Sequence, residues 1–214
     1  MIYEFRTYDL KPHSLPELEK RFAEAYEFRK KFSQLAAFWH TEIGPLNQII
    51  HVWPYKDLEE RTRIRDTAVK EGAGKWPPKT AEFMVRQRSE IFLPFAFSPE
   101  MKPGKQGPFF EMRVYNYAAG QLPNLTKAWT LAIPNRLKHG PATAILYSEL
   151  GGLNQFMHIW PYKSLDERWA LRNKLRETGE WPPSVVAKKA GLPEYHLVQQ
   201  ENKIVMPSAF SPLQ

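Results

Sequence analysis

Glu4, Arg6 and Tyr8 alternate along a short run near the start of the chain, and Asn47, His51 and Trp53 stand on a second alternating run. The same types recur as Glu111, Arg113, Tyr115, Asn154, His158 and Trp160. An imidazole titrates near neutrality, so His51 and His158 could serve as general bases or hydrogen-bond donors. Arg6 and Arg113 could hold a carboxylate or an enolate oxygen, while the other eight side chains supply the walls of a ligand site. A structural role competes with this, because a repeated polar network can also fix the register between two sheets. Other chemistry is thinly represented. The absence of cysteine removes disulfides, thiolate metal sites and cysteine nucleophiles. No HExxH, GxSxG, GxGxxG or phosphate-loop pattern occurs. His13, His40, His139 and His196 show no ligand spacing to one another, so no metal site and no cofactor is expected. Arg61, Arg63 and Arg65 read as the solvated surface of a helix, and the Trp76-Pro77-Pro78 and Trp181-Pro182-Pro183 elements as rigid aromatic turns packed at a sheet edge.

The recurrence extends far beyond these residues. Asn47–Lys56 returns as Asn154–Lys163 with seven of ten positions identical, at an offset of 107. The same offset aligns Phe22 with Trp129, Glu42 with Glu149, and Arg61 and Arg65 with Arg168 and Arg172. Ala96-Phe97-Ser98-Pro99 matches Ala209-Phe210-Ser211-Pro212 at an offset of 113, which places an insertion near residues 190–196 of the second copy. The chain is a tandem duplication. A run rich in Pro, Gly and charge separates the copies, giving units at 1–99 and 109–214 with a linker at 100–108.

Within a copy the period changes from two to 3.6 and back. Residues 2–8 alternate as a strand, and Ser14-Leu-Pro-Glu17 reads as a helix cap before apolar residues at helical spacing to about residue 32. Residues 35–42 and 47–53 suggest a hairpin. Asp57-Leu-Glu-Glu60, echoed by Ser164-Leu-Asp-Glu167, opens a second helix. A short third helix around 80–85 and a strand over 90–97 complete the unit. The order βαββαβ describes a ferredoxin-like α+β unit with helices on one sheet face. Two such units in one chain can cover each other's bare faces.

Parity then assigns the faces. Ile50 and Val52, with Tyr3 and Phe5, suit the helix-packed core. That sends Glu4, Arg6, Tyr8, Asn47, His51 and Trp53 toward the space between the sheets, where Glu4–Arg6 and His51–Glu42 pairing could offset the burial of charge.

Composition narrows the partners. Hydrophobic residues at 43% and charged residues at 25% are globular proportions. The net charge of +7 divides as 18 − 15 before residue 108 and 12 − 8 after it, without the basic stripe that nucleic-acid binding needs. No apolar run approaches the roughly 20 residues that span a bilayer, and the N-terminal residues lack a signal-peptide core, so a cytoplasmic location is expected.

The blocks Glu4/Arg6/Tyr8, Glu42/Gly44/Asn47 and His51/Trp53/Pro54/Tyr55, with their second-copy counterparts, resemble the NIPSNAP family. The resemblance covers both halves. It implies a dimeric α/β barrel, formed here within one chain by the two ferredoxin-like units, together with further self-association as a homo-oligomer. Superfamily relatives include cofactor-free monooxygenases, isomerases and haem proteins, but the family supplies no list of catalytic residues. The expectation is a small, partly apolar ligand between the sheets. If the protein is an enzyme, cofactor-independent oxygenation or isomerisation would use His51 or His158 as base and Arg6 or Arg113 as oxyanion partner. The rivals are a non-catalytic scaffold with a structural polar interior, and a binder of haem or a haem product.

Overall fold

The computed structural model describes all residues, 1–214. The first unit runs β1 (Ile2–Leu10), α1 (Leu15–Arg29), β2 (Ala37–Ile43), β3 (Gln48–Tyr55), α2 (Leu58–Glu71), a 3-10 turn (Ala81–Phe83) and β4 (Met84–Pro94). The second runs β5 (Phe109–Tyr117), α3 (Leu122–Leu137), β6 (Ala144–Leu150), β7 (Gln155–Tyr162), α4 (Leu165–Thr178), α5 (Pro183–Lys189) and β8 (Leu197–Pro207). Each unit is thus a ferredoxin-like βαββαβ, and the fold is α+β. The eight antiparallel strands close into one barrel in the order β1-β3-β2-β8-β5-β7-β6-β4. The units are joined twice, by β2 on β8 from Trp39↔Pro207 to Ile43↔Ile204 and by β4 on β6 from Ile91↔Leu150 to Pro94↔Leu146. No helix is long and apolar enough to cross a membrane.

Local signals explain most boundaries. Asp57 Oδ1 accepts from Glu60 N at 2.8 Å and Ser164 Oγ from Glu167 N at 3.0 Å, so both second helices start on capping side chains. Ser14 does not cap: its hydroxyl donates to Lys11 O at 2.6 Å, and Pro16 in the first turn starts α1 instead. The helix expected over 80–85 is only the three-residue turn, and the last strand begins at Met84. Its first half, Met84–Ser89, carries polar residues on both faces, which hides the period of two.

The faces are the reverse of the parity assignment. Tyr3, Phe5, Ile50, Val52 and Phe92 point into the barrel, where they meet Phe110, Met112, Met157, Ile159 and Val205 of the second unit. The polar set lies on the outer face, under the helices of its own unit. A closed barrel is dry on every side and therefore takes the most apolar face of each strand. The helix layer can accept charge because α2 and α4 bring arginines to it.

Each unit also reaches across to the other through its final Phe-Ser-Pro segment. Ser211 Oγ accepts from Phe38 N at 2.9 Å, and Ser98 Oγ accepts from Ile145 N, the equivalent position, at the same distance. Phe210 lies 4.7 Å from the Phe38 ring and 6.1 Å from Phe22.

Candidate functional site

Glu4 is the centre from which the first-unit site is built. Its fully buried carboxylate receives Arg6 Nη1 at 2.9 Å from its own strand, Arg61 Nη2 at 2.6 Å from α2 and Ser89 Oγ at 2.7 Å from β4, with Arg65 Nη1 3.8 Å away. Burial alone would raise this carboxyl, but the hydrogen bonds from Arg61 and Ser89 and the charges of Arg6 and Arg65 outweigh it and hold it at about 2. Arg6 Nε donates to Tyr8 Oη at 2.6 Å, which leaves the phenol proton free to donate. Glu111 repeats the arrangement with Arg113 at 2.8 Å, Arg168 at 2.5 Å and Arg172 at 3.8 Å, and its carboxyl is likewise held low. Arg61 and Arg65, expected in solvent, lie four apart on one helix face and converge on this carboxylate.

His51 is not paired with Glu42, which is exposed. The Trp53 indole donates to His51 Nδ1 at 2.7 Å, and Trp160 donates to His158 Nδ1 at 2.6 Å. Nδ1 is therefore the acceptor, and the ring proton of the neutral imidazole sits on Nε2. Nε2 is buried without a hydrogen-bond partner in both units, with His51 packed among Tyr8, Phe22 and Phe38. Burial pushes both histidines well below their ordinary value, and Arg6 and Arg113 add to the shift. Neither ring nitrogen has a lone pair to take a proton, so the base role expected of these residues does not match their geometry.

A cavity of about 450 Å³ opens over the first-unit network, between β1, β3, α1, α2 and the turn after α2. Arg6, Arg29 and Arg65 supply its charge, Tyr8, Thr80 and Gln87 its neutral polar groups, and Phe22, Trp53, Trp76 and Met84 its apolar walls. No carboxylate lines it. Arg29 is buried, held by Ser33 Oγ at 2.8 Å and Tyr55 Oη at 3.2 Å, with its guanidinium 4.4 Å from the Trp53 ring centroid. It forms no ion pair, and burial lowers its affinity for the proton. The Trp76-Pro77-Pro78 element folds inward as the cavity's rim, with Trp76 5.6 Å from Phe22 and 6.1 Å from Trp53.

The second unit is tighter. Trp129 replaces Phe22 and fills the space between Phe156, His158 and Trp181 at 4.4, 5.0 and 5.0 Å. Tyr117 replaces Leu10 and packs against Tyr195 of the insertion at 5.7 Å. Side-chain exposure falls from 17% to 12% between Arg6 and Arg113, from 23% to 16% between Arg61 and Arg168, and from 37% to 23% between Arg65 and Arg172.

Of the residues expected to form a site, Arg6, Tyr8, His51 and Trp53 meet at the cavity, with Glu4 behind them. Asn47 and Asn154 do not join. They end the hairpin turns with φ of 53° and 56°, their carbonyls accepting from Leu10 N and Tyr117 N, because asparagine tolerates the left-handed region. The space between the sheets is packed rather than open. Sequence reasoning missed Arg29 and misjudged Arg65. The signal was present, since Arg29 and Arg136 stand at the repeat offset and Arg61 and Arg65 are repeated as a pair. No group of three or more His, Asp or Glu side chains converges as a metal site.

Comparison with known proteins places this geometry in a family. The family model NIPSNAP matches residues 3–99 and again 110–212. The human protein NipSnap homolog 3B is 30% identical over 219 residues, spanning 99% of this chain and 85% of that one. A NipSnap homolog from Dictyostelium discoideum is 27% identical over 210 residues, with 96% and 87% covered. Among solved structures, a candidate monooxygenase from Fusobacterium nucleatum superposes with a TM-score of 0.66 over 96% of this chain and 91% of that one, at 9% identity, which is a likeness of fold alone. With both of its halves matched by the family model, the chain belongs to the NIPSNAP family.

Proposed function

We propose that the first unit binds one small anion with an aromatic or otherwise apolar body in the cavity above Glu4, and that the second unit is a closed copy serving as scaffold. The observation that carries this is the lining: three guanidinium groups, no carboxylate and a wall of Phe22, Trp53 and Trp76 within about 450 Å³. That volume lies within the usual range for small-molecule sites. Arg65 and Arg6 would take the acid group, the free Tyr8 proton would add a hydrogen bond, and the indoles would hold the apolar body. All of these groups are donors or apolar surfaces. A site so composed recognises an oxyanion; with His51 protonated on Nε2 it offers no base for proton abstraction.

Haem does not fit the same residues. Both imidazoles use Nδ1 as acceptors, and both Nε2 atoms are closed off, so neither side chain offers a nitrogen to a metal. A purely structural role for the Glu–Arg–Tyr and His–Trp bonds is supported by their repetition in the tighter unit, and it is compatible with ligand binding in the other. The test is charge selectivity. Benzoate should raise the thermal midpoint of the protein, while benzamide, equal in shape and uncharged, should not. Arg65→Ala should remove the benzoate effect. Equal responses to the two probes would refute the anion site.

A further inference from the structure

We propose that Lys203, at one mouth of the barrel, is a nucleophilic amine that forms a reversible imine with short oxo acids. This site is separate from the cavity above Glu4. Lys203 lies on β8, is 8% exposed, and donates from Nζ to Gln48 Oε1 at 2.7 Å. It forms no ion pair. Gln48 stands between it and Asp9 of the first unit: Gln48 Nε2 donates to Asp9 Oδ1 at 2.6 Å, and Asp9 Oδ2 takes Arg86 Nε at 2.7 Å. The amide spacer thus keeps a carboxylate off the amine, and Arg86 already neutralises that carboxylate. The other charges facing Lys203 are Arg88 and Glu90 from β4 and Glu201 from β8, none at pairing distance. A buried ammonium without a counter-charge is costly, so the neutral amine is favoured. In keeping with this geometry, burial pushes Lys203 below the ordinary lysine range, and the neighbouring Arg88 pushes it further.

The amine has space in front of it. A cavity of about 70 Å³ opens at this mouth between the units, lined by Lys203, Arg88, Thr7 and Asn116, by the apolar Phe5 and Met157, and by the carboxylates of Glu90 and Glu201. A water occupies about 30 Å³ of liquid, so the cavity holds a two- or three-carbon compound. The neutral amine adds to the aldehyde carbon to give a carbinolamine. Loss of the former carbonyl oxygen as water then leaves the C=N bond, with no change of oxidation state and no other reactant. Arg88 is the partner for the carboxylate of the oxo acid. The position equivalent to Lys203 in the first unit is Glu90, so the chemistry is possible once per chain.

The experiment treats the intact protein with glyoxylate and cyanoborohydride and follows carboxymethylation of each lysine by peptide mass mapping. Lys203 should be labelled severalfold faster than the exposed Lys163 and Lys174, because a larger share of it is neutral. The preference should vanish in urea. Labelling of Lys203 at or below the rate of the exposed lysines would overturn the proposal. Arg88→Gln should slow labelling by glyoxylate severalfold more than labelling by formaldehyde, which has no carboxylate and is slowed only through the amine; an equal slowing with both reagents would remove the oxo-acid assignment.

Discussion

Two fully buried carboxylates, Glu4 and Glu111, each gather arginines from their own strand and the second helix of their unit, at distances that differ by fractions of an ångström between units. Removing either leaves partly buried guanidinium groups without a counter-charge. Glu4→Gln and Glu111→Gln are therefore each expected to cost about 1–3 kcal/mol in urea unfolding. Their pH dependence has a defined sign. The folded Glu4 carboxyl lies near 2, below its unfolded value, so its contribution is complete above the unfolded pKa and is lost as pH falls toward 2. His51 and His158 also lie below their unfolded value, so the unfolded chain binds more protons and destabilisation begins lower than about pH 6.5. Urea midpoints should thus fall progressively from pH 7.5 through 5.5 to 4; a flat profile would contradict the burial of both groups. The identities of these residues were legible in the sequence because they are repeated. Their roles were not, since the choice of tautomer depends on an indole two residues along the same strand, and nothing in the spacing reveals which group donates.

At the scale of elements, the closest match between sequence and structure lies in the second helices. Asp57→Ala and Ser164→Ala should each cost about 1 kcal/mol as lost caps. Ser14→Ala, which removes a loop hydrogen bond instead, should show no loss of α1 helicity by circular dichroism. Strand pairing and the βαββαβ order were readable because period and turn residues are local properties. The face of each strand was not, because alternation identifies two faces without saying which is drier. Ile50 and Val52 fit a helix-packed core as well as they fit a barrel; only closure of the eight strands decides. The difference between units is carried by single positions, Trp129 in place of Phe22 and Tyr117 in place of Leu10, together with Tyr195 of the insertion. Phe22→Trp should fill the first-unit cavity as Trp129 fills the second, abolishing the benzoate response with little change in stability, because the second unit shows that the element tolerates the larger ring.

At the scale of the whole molecule, the two units close into one sheet. The β2–β8 and β4–β6 seams and the crossed Phe-Ser-Pro segments make each unit depend on the other. Calorimetry should accordingly show a single unfolding transition, and two resolved transitions would disprove that coupling. Duplication within one chain then gives the copies freedom to diverge: the shared network of carboxylate, guanidinium, imidazole and indole recurs in both units, while the space over it is open as a cavity in the first and narrowed by Trp129 in the second. A calorimetric titration with benzyl phosphate probes this asymmetry between the units. The titration should show one site per chain, lost in Arg65→Ala and retained in the equivalent Arg172→Ala. Two equivalent sites, or loss of binding in Arg172→Ala alone, would contradict that asymmetry.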